Sequence, residues 1–325
     1  MKAIITDHGW GNIDPERAIL EPIGAEVVEA QCRDEDQLIE ACRDVDYVIT
    51  TYAPLSAKVI STLQRCRVIS RYGIGVDNID LKAAREAGIP VCNVPDYCID
   101  EVADHALALL LALTRKVVSG NQVVRDGKWG PPGTKGDVKV LREHSVGLIG
   151  FGRIGTAVAA RLQAFKCPLF VHDPFVSDEV IEAGGAQSVS FDELLEQSDI
   201  VSLHCPSDDT TRGMMDADSL GKMRQGALLV NVSRGDLIVT EDLVGKLEQG
   251  HLNGAAVDVT SPEPLPAGHP LSRLENMVIT SHYAAFSVTA IEELRRRATG
   301  AIANAICGEP LKSIVNGVES PRDIT

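Results

Sequence analysis

The chain has 325 residues, about twice a typical single domain, and its 44% apolar and 24% charged residues exclude intrinsic disorder as its main state. Its 46 acidic against 31 basic side chains give a formal charge of −15, which excludes a broad cationic surface for nucleic acid or anionic lipid but leaves room for local anion sites. The eight cysteines stand singly with no Cys-x-x-Cys spacing, so neither a metal site nor a disulfide framework is expected. Asp7 interrupts the N-terminus too early for a secretory signal, and the longest apolar run, Ala106 to Leu113, is too short to span a bilayer. The expectation is a cytoplasmic protein without nucleic-acid or membrane contact.

Short β-branched runs alternate with amphipathic stretches, which predicts parallel sheets wrapped by helices, an α/β fold. In the first hundred residues strands are predicted at 2–6, 26–29, 47–50, 68–70 and 90–93, with helices such as 34–42 and 81–87 between them. A long helix opens near Asp100 and runs through Leu113, apolar on so many sides that it belongs between layers. The polar stretch from Arg125 to Gly133, rich in Gly and Pro, reads as a surface excursion. A second α/β series then starts near Ser145, with strands predicted at 145–150, 169–172, 200–204, 227–232, 254–257 and 277–280 and a helix at 156–165.

Gly150-Phe151-Gly152-Arg153-Ile154-Gly155 lies between a predicted strand and helix, and Asp173 closes the next strand. In that setting the first glycine makes a tight turn, the second lets a pyrophosphate approach backbone N–H groups, and the third lets helix and strand pack closely. Asp173 would bind the adenosine ribose and repel a 2′-phosphate, favouring NAD over NADP. Three further polar residues stand near strand ends in the same series: Arg234 in Asn231-Val232-Ser233-Arg234-Gly235, Glu263 between two prolines, and His282. Each alone is ordinary; together they suit one reaction. Hydride addition to a ketone leaves an alkoxide that a His can protonate, a Glu can hold that His in one tautomer, and an Arg can fork a carboxylate and the neighbouring carbonyl oxygen.

With these residues in place, the chain resembles the D-2-hydroxyacid dehydrogenases over nearly its whole length, and within them the branch close to C-terminal-binding protein. The matching segments are 72–80, 92–95, the glycine motif with His172-Asp173-Pro174, 231–235, 256–258, Glu263-Pro264 and 280–282. The resemblance implies a Rossmann-type doubly wound NAD domain, 99–287, inserted into a flavodoxin-like substrate domain, 1–98 plus 288–325. It implies catalytic roles for Arg234, Glu263 and His282, and Asp258 on the nicotinamide amide. Ile74, Cys205, Pro206, Thr210, Val232 and Ser233 would line the cofactor. Thr51, Tyr52 and Ala53 with Gly73, Ile74 and Gly75 would cradle the substrate carboxylate.

Members of this family are commonly homodimers that pack through the cofactor domain, with the excursion near Arg125 reaching across. The expected activity is NAD-dependent interconversion of a small D-2-hydroxy acid and its 2-oxo acid. The alternative is an NAD-sensing regulatory binding protein, disfavoured because the catalytic residues are kept and the chain stops soon after its last helix. Thr50-Thr51-Tyr52 stands where relatives acting on phosphoglycerate place arginines, Glu263 where formate-type relatives carry Gln, and Ala285 where C-terminal-binding protein has a Trp. Trp10, Tyr283 and Phe286 are candidates for the pocket's aromatic surface.

Overall fold

The computed structural model describes residues 1–131 and 138–322. The chain divides into two compact units, one of Met1–Tyr97 with Ser287–Thr325 and one of Cys98–Phe286. In the first unit β1 (Lys2–Ile5), β2 (Glu26–Glu29), β3 (Tyr47–Thr50), β4 (Val68–Arg71) and β5 (Val91–Cys92) form a parallel sheet in the order β2-β1-β3-β4-β5, the flavodoxin-like order. The two-residue period sends Ala3, Ile5, Tyr47 and Ile49 to one face and Ile4, Val48 and Ile69 to the other.

The first face is covered by α1 (Asp14–Leu20) and by α12 (Val288–Cys307), whose Leu294, Ala298, Ile302 and Ala305 recur at helical spacing. The second carries α2 (Glu35–Ala41), α3 (Ala57–Thr62) and α4 (Leu81–Glu86), which contribute Leu38, Val59, Ile60 and Ala84. Asp34, Ser56 and Asp80 cap these three helices, each accepting a backbone N–H. The predicted helix at 34–42 therefore starts one residue later, because Asp34 is its cap.

A buried ion pair ties α12 to α1. Arg295 Nε and Nη2 reach the two carboxylate oxygens of the fully buried Glu16 at 2.7 and 2.6 Å, and Tyr72 Oη donates to the same carboxylate at 3.1 Å. Breaking such a pair from one side leaves a charge in the core and typically costs about 3–5 kcal/mol. Trp10 belongs to this cluster: its ring stacks on His8, meets the edge of Tyr72 at 4.8 Å and lies under the Arg295 guanidinium at 5.1 Å. Its role in the structure is packing.

In the second unit, β6 (Val146–Ile149), β7 (Leu169–His172), β8 (Gln187–Ser188), β9 (Ile200–Leu203), β10 (Ala227–Asn231), β11 (Leu252–Val257) and β12 (Met277–Ile279) form a parallel sheet in the order β12-β11-β10-β9-β6-β7-β8. The order reverses between β6 and β9, the switch point at which sheets of this kind open a crevice beyond their strand ends. One face packs on α9 (Phe191–Gln197), α10 (Ala217–Lys222) and α11 (Thr240–Glu248) through Leu194, Leu220, Leu243 and Leu247. α5 (Ile99–Thr114) lies close to Gly254, where an added Cβ would stand 3.4 Å from Leu113. Arg161 of α7 (Arg153–Gln163) forks Asp100 and Asp104 of α5 at 2.7 and 2.6 Å.

The glycine motif and the segment after α5 depart further from the sequence reading. α7 starts at Arg153, three residues earlier than predicted, because Gly152 is its N-cap and Gly155, which depresses helix propensity, lies inside its first turn. A helix not anticipated, α6 (Val117–Arg125), follows α5 after Lys116, whose φ of +50° breaks the run. The excursion after Arg125 is non-helical through Pro131, while its Pro132 and Gly133 lie outside the described residues. No helix among the described residues is long and apolar enough to cross a membrane.

Candidate functional site at the strand ends of the second unit

The glycine motif sits at the switch point. Gly150 has a φ of +97°, and a Cβ there would stand 2.7 Å from the backbone of His204 and Cys205, so the ends of β6 and β9 touch. A Cβ on Gly155 would collide with the Gly150 carbonyl, which fixes the close start of α7. Gly152 is different. A Cβ there meets nothing within 4 Å, and no side chain caps the helix it opens. The first N–H groups of an eleven-residue helix thus face open space, which fits a bound diphosphate. Arg153 is exposed and Ile154 half-buried on the first turn.

Asp173, at the end of β7, accepts Phe151 N–H at 2.7 Å and Phe175 N–H at 2.9 Å, which places its carboxylate over the glycine turn. On the other side of the switch point Cys205 is half-buried, and burial pushes its thiol up to about 11, so it is a neutral wall. His204 beside it is held near 4 by burial and stays uncharged. Ser233 Oγ donates to the Cys205 carbonyl, joining the loops after β9 and β10. Val232 is buried. Thr210 lies in an exposed turn where its hydroxyl donates to Asp208 at 2.6 Å, and Pro206 accepts Thr211 Oγ1 at 2.8 Å.

Asn231 shapes the loop that carries Arg234: its side chain accepts Ser233 N–H at 3.0 Å and donates to the Arg234 carbonyl at 2.7 Å. Arg234 Nη1 donates to the Ser233 carbonyl at 2.8 Å. Gly235 packs so tightly that a Cβ would collide with Thr260, which sets the Arg234 loop against the one bearing Glu263. Glu263 Oε1 lies 2.5 Å from His282 Nδ1, and its Oε2 is 3.4 Å from Thr260 N. With Nδ1–H donated to Glu263, Nε2 of the neutral ring is an acceptor and Nε2–H of the protonated ring a donor.

Asp258, expected at the nicotinamide, is 1% exposed, and its oxygens accept Thr280 Oγ1, Tyr283 N–H and Ala284 N–H. It shapes the turn on which His282 stands. Tyr283 and Phe286, about half exposed, remain at the surface of this unit.

The residues of the expected carboxylate cradle belong to the first unit, where several of their N–H groups have partners within the fold. Thr51 and Tyr52 N–H groups donate to the Asp7 carboxylate at 3.0 and 2.6 Å, and Gly73 N–H donates to the Arg71 carbonyl at 2.9 Å. Those three donors are committed to the fold. Ala53 is buried, and Ile74, whose carbonyl accepts Asn93 Nδ2 at 2.6 Å, and Gly75 are left as candidate donors. Asp7 and Arg71 escaped the sequence reading. Arg71 is 9% exposed and its guanidinium occupies the space where a Gly73 Cβ would be, putting a cation against this turn.

Residues 107–284 match the family model of the D-isomer specific 2-hydroxyacid dehydrogenase NAD binding domain. The chain is 33% identical over 287 residues to a glyoxylate reductase of Thermofilum pendens, covering 86% of this chain and 84% of that enzyme. It is 36% identical over 269 residues to a D-3-phosphoglycerate dehydrogenase of Archaeoglobus fulgidus, covering 83% of this chain but 51% of that enzyme, so it spans about half the length of this relative. A crystal structure of a Thermus thermophilus protein superposes with a TM-score of 0.87 at 35% identity, covering 97% of this chain and all of the other. On these matches the chain carries an NAD-binding domain and belongs to the D-isomer specific 2-hydroxyacid dehydrogenase family.

Proposed function

We propose that the protein interconverts a small D-2-hydroxy acid and its 2-oxo acid with NAD(H), using Arg234, Glu263 and His282. The observation that carries this reading is the contact of His282 Nδ1 with Glu263 Oε1 on a loop that Gly235 presses against that of Arg234. NAD(H), when bound, supplies or takes up the hydride. The turn 150–155 and the N-terminus of α7 would hold its diphosphate and Asp173 its adenosine ribose, where a carboxylate repels a 2′-phosphate. Cys205, Pro206 and Val232 would wall it.

In the reductive direction His282 Nε2–H gives its proton to the substrate oxygen, and in the oxidative direction neutral Nε2 takes one from the hydroxyl. Glu263 holds the ring by Nδ1 in both. Arg234 forks the substrate carboxylate and carbonyl oxygen, orienting the one and polarising the other. Within the first unit, backbone donors at Ile74 and Gly75, with the Arg71 charge beside them, would suit an anionic group.

The test is a panel of glyoxylate, hydroxypyruvate, pyruvate, 2-oxobutanoate and an aromatic 2-oxo acid with NADH and, separately, NADPH. Saturable oxidation of NADH with at least one acid is expected, with NADPH much the poorer donor. Tight NADH binding with no turnover on any acid would sink the reading in favour of an NAD-sensing binding protein.

We also propose a homodimer packed through the second unit. Val117, Val118 and Val124 of α6 are each more than half exposed and Trp129 is 93% exposed, an apolar group that a second copy would cover. Light scattering should give twice the chain mass, and a monomer throughout the micromolar range would refute this.

A further inference from the structure

His282 has a φ of +54°. A side chain other than glycine in this left-handed region is strained by about 1–3 kcal/mol, so its surroundings must hold it there. The hold is visible. The Asp258 carbonyl accepts His282 N–H at 2.7 Å, while the Asp258 carboxylate takes Thr280 Oγ1 at 2.5 Å, Tyr283 N–H at 3.2 Å and Ala284 N–H at 2.9 Å. Residues on both sides of His282 are thereby wrapped around one buried carboxylate.

A group from a distant part of the chain closes this arrangement. His105, midway along α5, places Nε2 at 3.0 Å from Thr280 Oγ1 and 3.5 Å from Asp258 Oδ1, and its ring meets Tyr283 edge-on at 5.0 Å. Thr280 has one hydroxyl proton, which goes to Asp258, so its oxygen must accept from His105. His105 therefore carries its proton on Nε2 and donates. It grips the turn through a hydrogen bond before His282 and a ring contact after it. α5 is a firm base for such a grip, since Asp100 and Asp104 on it are forked by Arg161.

We infer that His105 is a positioning residue for the acid/base His282, fixing the 280–284 turn through Thr280, Asp258 and Tyr283. This rests on the role proposed for His282. The effect belongs in kcat and not in cofactor binding, because a reacting group displaced by about 1 Å can lose on the order of 100-fold in rate.

The experiment compares His105→Leu with His105→Gln, which keeps a side-chain N–H donor, in the full chain. His105→Leu should lower kcat on the best 2-oxo acid by about 10–100-fold, keep NADH affinity within about twofold, and speed amide exchange in the peptide spanning 280–284. His105→Gln should restore most of both. Wild-type kcat and exchange in His105→Leu, or a Gln variant no better than Leu, would overturn the inference. Should the Leu variant not fold, Thr280→Val cuts the same link from its other end and should speed exchange in the same peptide; unchanged exchange would be equally adverse. A wild type inactive on every 2-oxo acid would count against the catalytic reading alone, because the exchange comparison still decides the grip on the turn.

Discussion

Replacing His282 by Ala is expected to lower kcat on the best 2-oxo acid by about 10²–10⁴-fold, the usual worth of a positioned acid/base. NADH affinity should stay nearly unchanged, since His282 follows the edge strand β12, with β11, β10 and β9 between it and the strand β6 that leads into the glycine turn. The loss is large because Glu263 spends an oxygen on keeping the imidazole in one tautomer, and an Ala in its place leaves the developing alkoxide only water as a proton source. Steady-state reduction of the oxo acid and direct titration of NADH separate the two quantities. Most of the activity surviving would show that the proton comes from another group.

Arg234→Ala should lower kcat/KM for the oxo acid by about 10³-fold or more, since a single lost donor to a developing oxyanion already costs about 10²–10³. Arg234 is asked to do two things, and Lys can replace neither geometry: a compact ammonium cannot fork two oxygens. Arg234→Lys should therefore fall nearer to Ala than to the wild type. NADH binding should be largely kept, because Asn231 and Gly235 shape the loop from their own side chain and backbone contacts. An equal loss in oxo-acid turnover and NADH affinity would contradict the substrate role.

The elements were legible where the pattern is local. Short β-branched, apolar runs mark β1, β3 and β4, and the strand–glycine–helix succession marks the turn at Gly150. Asp173 follows from its offset, and Glu263 and His282, nineteen residues apart, from the chemistry that needs both rather than from spacing. Long-range polar contacts were not legible. Nothing in the sequence says that Asp7 will reach the N–H groups of Thr51 and Tyr52, some 44 residues on, and remove two donors from the expected cradle. Arg71 reads as the polar end of a strand until Gly73 is seen to leave room for its guanidinium. His105 reads as a lone histidine in an apolar helix, because its partners Thr280 and Asp258 come to it only through the fold.

The union of α12 with the first sheet also orders events on a growing chain. The face made by Ala3, Ile5, Tyr47 and Ile49 has only α1 over it until Leu294 to Ala305 have been made, and Glu16 waits equally long for Arg295. Residues 98–286 have no such wait, since their sheet and both of its helical coats are made of contiguous chain. The first unit to be synthesised is thus the second whose core can close, and its loop closure spans nearly the whole sequence, the kind of contact that slows folding.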